Sequence, residues 1–265
     1  MKAGVPCRSY RVVTTHIGIG DSLMVLCAVA GLKRDHPHEP VEYMVHSHQM
    51  LWVALFGGYD VLGANPEFGQ NAHYPCSGDY YARPQWWHLS LALDCGTTPV
   101  LPPVKPLCRE ALDWARQFAG YVVVAPNASD PARRWPGFFP LVQQLTARGY
   151  PLVVLAGAEQ RDDGLGLPQA LGESPQRVAA LLARSALLIG NDSGMTHLAG
   201  CLGVPAVATC MQYPGRDVYG IYPTVHALDA GAATPAAVAE AADVICRRRQ
   251  LLLGKNDGFT WTEKV

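Results

Sequence analysis

The residues best equipped for chemistry lie in Asp192-Ser193-Gly194-Met195-Thr196-His197. Six positions hold a carboxylate, two hydroxyls, an imidazole, a thioether and a glycine, just after the apolar run Leu187-Leu188-Ile189. A short apolar run followed by turn formers reads as a strand entering a tight loop. A small-residue helix follows, and Gly203-Val204-Pro205 stops it before a second apolar run, Ala206-Val207-Ala208. A glycine-bearing loop at a helix start leaves backbone N–H groups open, and these suit a phosphate. Asp192 or Ser193 is the expected side-chain cap of that helix. The plain alternative is a strand–helix–strand crossover with a capped helix and no ligand.

A second candidate is His16-Ile17-Gly18-Ile19-Gly20-Asp21-Ser22, a glycine loop after the β-branched strand Tyr10 to Thr15. Three readings compete for it. A dinucleotide fingerprint lacks its third glycine, since position 23 is leucine, and Glu42 opens the next strand instead of ending it. Gly-Asp-Ser-Leu also matches the nucleophile block of a serine esterase family, with Ser22 attacking. That chemistry needs a late Asp-x-x-His pair, and none is present: Asp192 and His197 are five apart and His226 has no such partner. In the third reading Asp21 is a general base, or merely the cap of the next helix.

Both loops resemble those of the heptosyltransferase-type glycosyltransferases of family 9. Asp192-Ser193-Gly194-Met195-Thr196-His197-Leu198-Ala199, running into Leu202-Gly203-Val204-Pro205, is similar to that family's Asp-Thr/Ser-Gly-x-x-His-Leu-Ala signature. Gly18-Ile19-Gly20-Asp21-Ser22-Leu23 is similar to its Gly-Leu/Ile-Gly-Asp-x-Leu loop. Pro126-Asn127-Ala128-Ser129 and Arg133-Arg134-Trp135-Pro136 resemble its Pro-x-Ala-Ser and basic-x-Trp-Pro elements, with Arg133 where lysine is usual. The resemblance implies a GT-B fold, two Rossmann-like domains with parallel sheets facing a central cleft. It implies inverting, metal-independent transfer of a heptose-like or other hexose sugar from a nucleotide diphosphosugar, ADP-linked by preference, with no cofactor required. Asp21 would take the acceptor proton, with Gly18, Gly20 and Asn127 in loops near donor and acceptor. Arg133, Ser193, Gly194, Met195, Thr196 and His197 would hold the donor phosphates, Asp192 would orient their loop, and Glu159 would reach the ribose. An arginine at position 133 keeps the cation but offers a planar fork. The plain reading of Arg133 and Arg134 is a solvated charged pair, and that of His197 is a side chain packed under the helix start. A serine esterase using Ser22 and a non-catalytic sugar-nucleotide binding protein remain as alternatives.

The elements that must position these loops alternate between strand and helix. Leu23 to Leu32 reads as a buried helix and Val41 to Val45 as a strand. Tyr121 to Ala125 is an unbroken apolar run, the mark of a strand buried on both faces. A helix over Phe138 to Arg148, a strand over Pro151 to Leu155 and a last helix over Pro235 to Leu252 follow. This alternation predicts an α/β fold. The proline-rich Leu101 to Pro106 has a linker's composition. We therefore expect an acceptor domain over 1–106, a donor domain over 107–250 and a tail over 251–265 that returns to the first domain. The Tyr80 to His88 aromatic cluster could line an acceptor pocket or simply cover the edge of a small core.

Composition sets the outer bounds. At 265 residues and 49% hydrophobic, the chain can bury two small cores. A net charge of −1 gives no electrostatic footprint for general nucleic-acid binding. The eight cysteines form no Cys-x-x-Cys pair, so they are expected as thiols in a reduced setting. No signal peptide or transmembrane span is evident, and the expected location is the cytoplasm, with the inner membrane face as a peripheral site. Expected partners are a nucleotide sugar and a glycan, lipid-linked glycan, small-molecule or modified-base acceptor.

Overall fold

A computed structural model describes residues 9–14, 18–64, 87–158 and 165–253. The chain divides into two compact units, Met1–Lys105 and Pro106–Val265, each with its own parallel sheet.

In the first unit β1 (Tyr10–Val13), β2 (Val41–Val45) and β3 (Val61–Ala64) pair in parallel in the order β1-β2-β3. Alternate residues of β2 are buried, including Tyr43, whose hydroxyl donates to the Ser22 carbonyl at 2.7 Å. Helix α1 (Ile19–Asp35) is buried continuously from Ser22 to Leu32 and packs against α3 (Trp87–Asp94). It starts four residues earlier than the apolar run suggests. Gly20, Asp21 and Ser22 therefore belong to its first turn, not to a free loop. The short helix α2 (Met50–Val53) leads toward β3. Trp87 and His88 of the aromatic cluster are buried in α3, so these two serve the core; residues 80–86 lie outside the described residues.

The proline-rich stretch expected to be a linker is instead strapped to the first unit. Gly57 N–H donates to the Pro103 carbonyl and Lys105 N–H to the Leu55 carbonyl, both at 2.8 Å. Proline removes donors but leaves carbonyls, so this segment can still pair through alternate residues.

The second unit carries six parallel strands: β4 (Val122–Ala125), β5 (Leu152–Ala156), β6 (Gln169–Leu171), β7 (Leu187–Asn191), β8 (Ala206–Cys210) and β9 (Val225–Asp229). Their spatial order is β6-β5-β4-β7-β8-β9. β4, β7 and β8 are buried at every residue, as central strands covered on both faces must be. Helices α4 (Arg109–Ala115) and α6 (Pro175–Arg184) pack together, as do α5 (Phe138–Ala147) and α9 (Pro235–Leu253). Helix α7 (Gly194–Cys201) connects β7 to β8, and α8 (Gly215–Tyr219) connects β8 to β9. The chain winds outward from β4 to β6, then restarts beside β4 at β7. Connections leave β4 and β7 in opposite directions, which opens a crevice at the carboxyl ends of these two strands. The tail's first residues, 251–253, extend α9; the rest lie outside the described residues.

Candidate functional site

The register Ala125↔Gly190 brings the loop after β4 beside the loop after β7. Asn191, the last residue of β7, ties this junction together. Its Oδ1 accepts from the Trp135 N–H at 2.8 Å and its Nδ2 donates to the Pro126 carbonyl at 2.6 Å. Trp135 is held in turn by an indole N–H donated to the Ala233 carbonyl at 2.8 Å and by an edge contact with Phe138. The tryptophan of the basic-x-Trp-Pro element is thus a core anchor that fixes where Arg133 leaves the surface. Asp130 caps the short turn carrying Arg133 by accepting from the Ala132 N–H at 2.9 Å.

Arg133 reaches the loop after β7. Its guanidinium lies 3.8 Å from Asp192 Oδ2, its Nε donates to Gln212 Oε1 at 3.2 Å, and it sits 5.3 Å from the centroid of the Tyr213 ring. At 3.8 Å the pair with Asp192 is electrostatic without a hydrogen bond. Arg134 points elsewhere, its Nε donating to the Ala128 carbonyl at 3.0 Å.

The expected side-chain cap of α7 is not formed. Ser193 is the N-cap residue by backbone geometry, yet neither its hydroxyl nor Asp192 accepts from a helix amide. Asp192, only 2% exposed, turns to Tyr219, whose hydroxyl donates to Oδ1 at 2.8 Å. The same phenol accepts from the Ser193 N–H at 3.2 Å. One tyrosine from α8 therefore clasps both the carboxylate and the backbone of the loop. Burial and the neighbouring Asp192 charge push the Tyr219 hydroxyl well above the ordinary phenol range, so it stays protonated and donating. Thr196 folds its hydroxyl back onto the Asn191 carbonyl at 2.7 Å.

His197 is 3% exposed. Its Nδ1 lies 3.3 Å from the Tyr222 hydroxyl and its ring packs 4.8 Å from that of Tyr219. Gly200 makes room for this arrangement, since a Cβ there would meet the Tyr222 ring at 2.5 Å. The imidazole is embedded in aromatic side chains beneath the helix start.

Three buried polar atoms around this junction lack a hydrogen-bond partner: Asn127 Nδ2, Asp192 Oδ2 and Ser193 Oγ. Groups of this kind in a protein interior normally find partners, so their clustering at the carboxyl ends of β4 and β7 marks a place built for a polar ligand. The first-turn amides of Gly194 and Met195 add open donors. Asn127, Arg133, Ser193, Gly194 and Met195 are thus brought together, with Asp192 beneath them. Glu159 lies outside the described residues. Asn191, Gln212, Tyr213 and Tyr219 were not singled out from the sequence. The signal available for the last three was their position after β8, on the ligand side of an open parallel sheet.

In the first unit Asp21 occupies the first turn of α1, with its carboxylate curled over Gly18. A Cβ on Gly18 would lie 2.2 Å from Asp21 Oδ2, so the glycine is needed for that side-chain position. The N-cap is Gly18, so Asp21 does not cap the helix from the N-cap position. Ser22 is fully buried, and its hydroxyl donates to Gln49 Oε1 at 2.6 Å while Gln49 Nε2 donates to the Gly18 carbonyl at 3.0 Å. It is a structural hydroxyl, and nothing supports the esterase reading. Among the described residues no cluster of three or more His, Cys, Asp or Glu side chains could hold a metal ion. None of the described helices is long and apolar enough to cross a membrane.

Residues 97–209 match the model of glycosyltransferase family 9 (heptosyltransferase). That segment spans 113 of the 265 residues. It contains every donor-side candidate, from Asn127 to His197, and leaves out Asp21. Lipopolysaccharide heptosyltransferase 2 of Salmonella typhimurium and that of Escherichia coli are each 30% identical to the chain over 93 residues. The aligned stretch is 29% of this chain and 27% of either relative. Solved structures extend the likeness at the level of the fold. The family 9 glycosyl transferase of Veillonella parvula superposes with a TM-score of 0.70 at 16% identity, over 91% of this chain and 97% of that one. E. coli ADP-heptose lps heptosyltransferase II gives 0.66 at 14% identity, over 92% and 100%. An E. coli heptosyltransferase solved with ADP gives 0.63 at 14%, over 89% and 99%. The fold is the α/β, two-sheet GT-B type of these transferases.

Proposed function

We propose that this protein transfers a sugar from a nucleotide diphosphosugar, ADP-linked by preference, to an acceptor hydroxyl. The observation that carries the reading is the group of partnerless polar atoms and open amides at the carboxyl ends of β4 and β7, with the Arg133 guanidinium beside them. The diphosphate lies on the amides of Gly194 and Met195 with the Ser193 hydroxyl, and Arg133 balances its charge. The embedded Thr196 and His197 shape the helix start, and Asn127 supplies a further donor. Asp192 Oδ2 accepts a hydrogen bond from a ligand hydroxyl, because an unshared carboxylate oxygen suits a donor and repels phosphate. Glu159 takes the ribose role. The Veillonella and E. coli transferases, one of them solved with ADP, support the donor class.

Transfer is one inverting displacement. The acceptor hydroxyl attacks the anomeric carbon, the bond from that carbon to the phosphate oxygen breaks with its electron pair going to the diphosphate, and Asp21 takes the hydroxyl proton. Arg133 and the loop amides stabilise the charge that grows on the leaving group. The acceptor we favour testing first is a lipopolysaccharide core sugar. We further propose that residues 1–106 carry the acceptor side, 107–250 the donor side, and that the protein works in the cytoplasm.

Titration calorimetry with ADP, UDP and GDP on wild type and Arg133→Ala tests the donor site. The expected result is a preference for ADP and roughly tenfold weaker binding by the variant, the loss of one charge-assisted contact. Failure of the wild type to bind any nucleoside diphosphate, or equal binding by the variant, would overturn the reading.

A further inference from the structure

A second cavity lies at the opposite end of the second sheet from the donor loops. Among the described residues β9 is an edge strand paired with β8, and its amino-terminal end lies beside α9. The cavity between them encloses about 430 Å³. One wall is the stripe Ala241, Val244, Ile245 and Arg248, spaced as a single helix face; the other holds Thr224 and His226. This volume falls in the range of small-molecule sites.

Two features of the wall have no account in the fold. The first is apolar. Helix α9 buries Val238, Ala239, Ala242 and Cys246 in the core, with Ala241 and Ile245 half-buried against it, and Val244 stands beside them at the cavity, 51% exposed. Beside the cavity its side chain offers a ligand an apolar surface. The second is polar. Thr224 Oγ1 is buried without a hydrogen-bond partner, a costly state for an interior hydroxyl. Neighbouring Arg247 lies 3.6 Å from Asp243, yet no ion pair is formed by Arg248 among the described residues. A hydroxyl, an imidazole and a guanidinium thus line one cavity whose remaining wall is aliphatic.

We propose that this cavity binds a small amphipathic anion, a carboxylate or phosphate monoester carried on a compact apolar body. Arg248 faces the anionic oxygens, Thr224 and His226 hydrogen-bond them, and Val244 with Ile245 cover the apolar part. The site is separate from the donor loops, which lie at the carboxyl ends of the strands, and it does not depend on the transferase reading.

The probe is 1-anilinonaphthalene-8-sulfonate, an amphipathic anion that fluoresces when desolvated, titrated into the full-length chain with octanoate, phenyl phosphate and inorganic phosphate as competitors. One saturable site is expected, displaced by octanoate or phenyl phosphate, indifferent to inorganic phosphate and not displaced by ADP. Arg248→Gln should weaken probe binding roughly tenfold. Val244→Trp should abolish it by filling the cavity, with the melting temperature and ADP binding unchanged. Displacement by ADP, or unaltered titrations in both variants, would overturn the proposal. Equal competition by inorganic phosphate would also overturn it, since the apolar wall would then contribute nothing.

Discussion

Replacing Tyr219 by phenylalanine isolates the clasp on the loop after β7. The ring stays, and with it the contacts to His197 at 4.8 Å and Tyr222 at 6.3 Å, so packing is nearly conserved. Only the hydroxyl is lost, and two groups depend on it. Asp192 Oδ1 loses its 2.8 Å donor while Oδ2 already has none, leaving a carboxylate 2% exposed with the Arg133 guanidinium 3.8 Å away. A hydrogen bond to a buried charged group contributes about 1.5–3 kcal/mol. The Ser193 N–H loses its acceptor as well, at a cost of about 1 kcal/mol, which places the total near 3 kcal/mol. For a chain of this size each kcal/mol moves the melting temperature by about 2–4 °C, so Tyr219→Phe should melt about 6–12 °C lower. Scanning calorimetry reads that shift, and calorimetric titration should show ADP bound more weakly because the loop amides are no longer fixed. In a double-mutant cycle with Asp192→Asn the two effects should fall short of additive by more than about 1 kcal/mol. A drop below about 2 °C with unchanged ADP binding, or strict additivity, would refute the claim that this phenol organises the loop.

Two further substitutions probe the first unit. Gly18→Ala keeps an allowed backbone, with φ at −79°, but its Cβ displaces the Asp21 carboxylate. On the proposed mechanism it should lower ADP release from ADP-heptose with a lipopolysaccharide core acceptor about as much as Asp21→Asn does, roughly 100-fold or more for loss of the proposed general base, while ADP still binds; full activity in Gly18→Ala would separate carboxylate position from catalysis. Ser22→Ala leaves Gln49 Oε1 without its 2.6 Å donor, so it should destabilise by about 1–2 kcal/mol in a denaturant melt yet leave the same ADP-release rate within a factor of two. A selective loss of p-nitrophenyl acetate hydrolysis in that variant would instead revive the serine as a nucleophile.

What could be read from the chain divides by the range of the interaction that decides it. The turn at Asp192 and Ser193 and the helix after it are legible because turn chemistry and a stop at Gly203-Val204-Pro205 are local, and β4 because its unbroken apolar run marks a strand buried on both faces. The start of α1 was misplaced because Gly18 to Ser22 looks like loop composition, whereas α1 is stabilised there by tertiary contacts from Tyr43 and Gln49. Strand β6, three residues long, is too short for a period of two to register. Helix α6 carries a usable signal, Ser174 accepting from the Arg177 amide and proline at the next position, but reading by apolar runs passes over it because Gln176 and Arg177 dilute its opening.

The side-chain partners at the site were harder to anticipate, and for one physical reason. An aspartate two residues before a helix meets amides close by, so local chemistry favours a cap; the buried Asp192 instead meets a phenol 27 positions later in the chain. Tyr219 reaches it from the five-residue α8, whose place is set by Gly215 N–H donating to Asp229 Oδ1 at 2.7 Å, a contact with the end of β9. The loop after β7 is therefore held by the far side of the sheet's second half, through β8, α8 and β9 in turn. This arrangement also leaves the Gly194 and Met195 amides of α7 uncapped. A side-chain cap from Ser193 would occupy donors that the proposed diphosphate ligand needs, and moving the loop's anchor to Tyr219 keeps the loop rigid while those donors stay open.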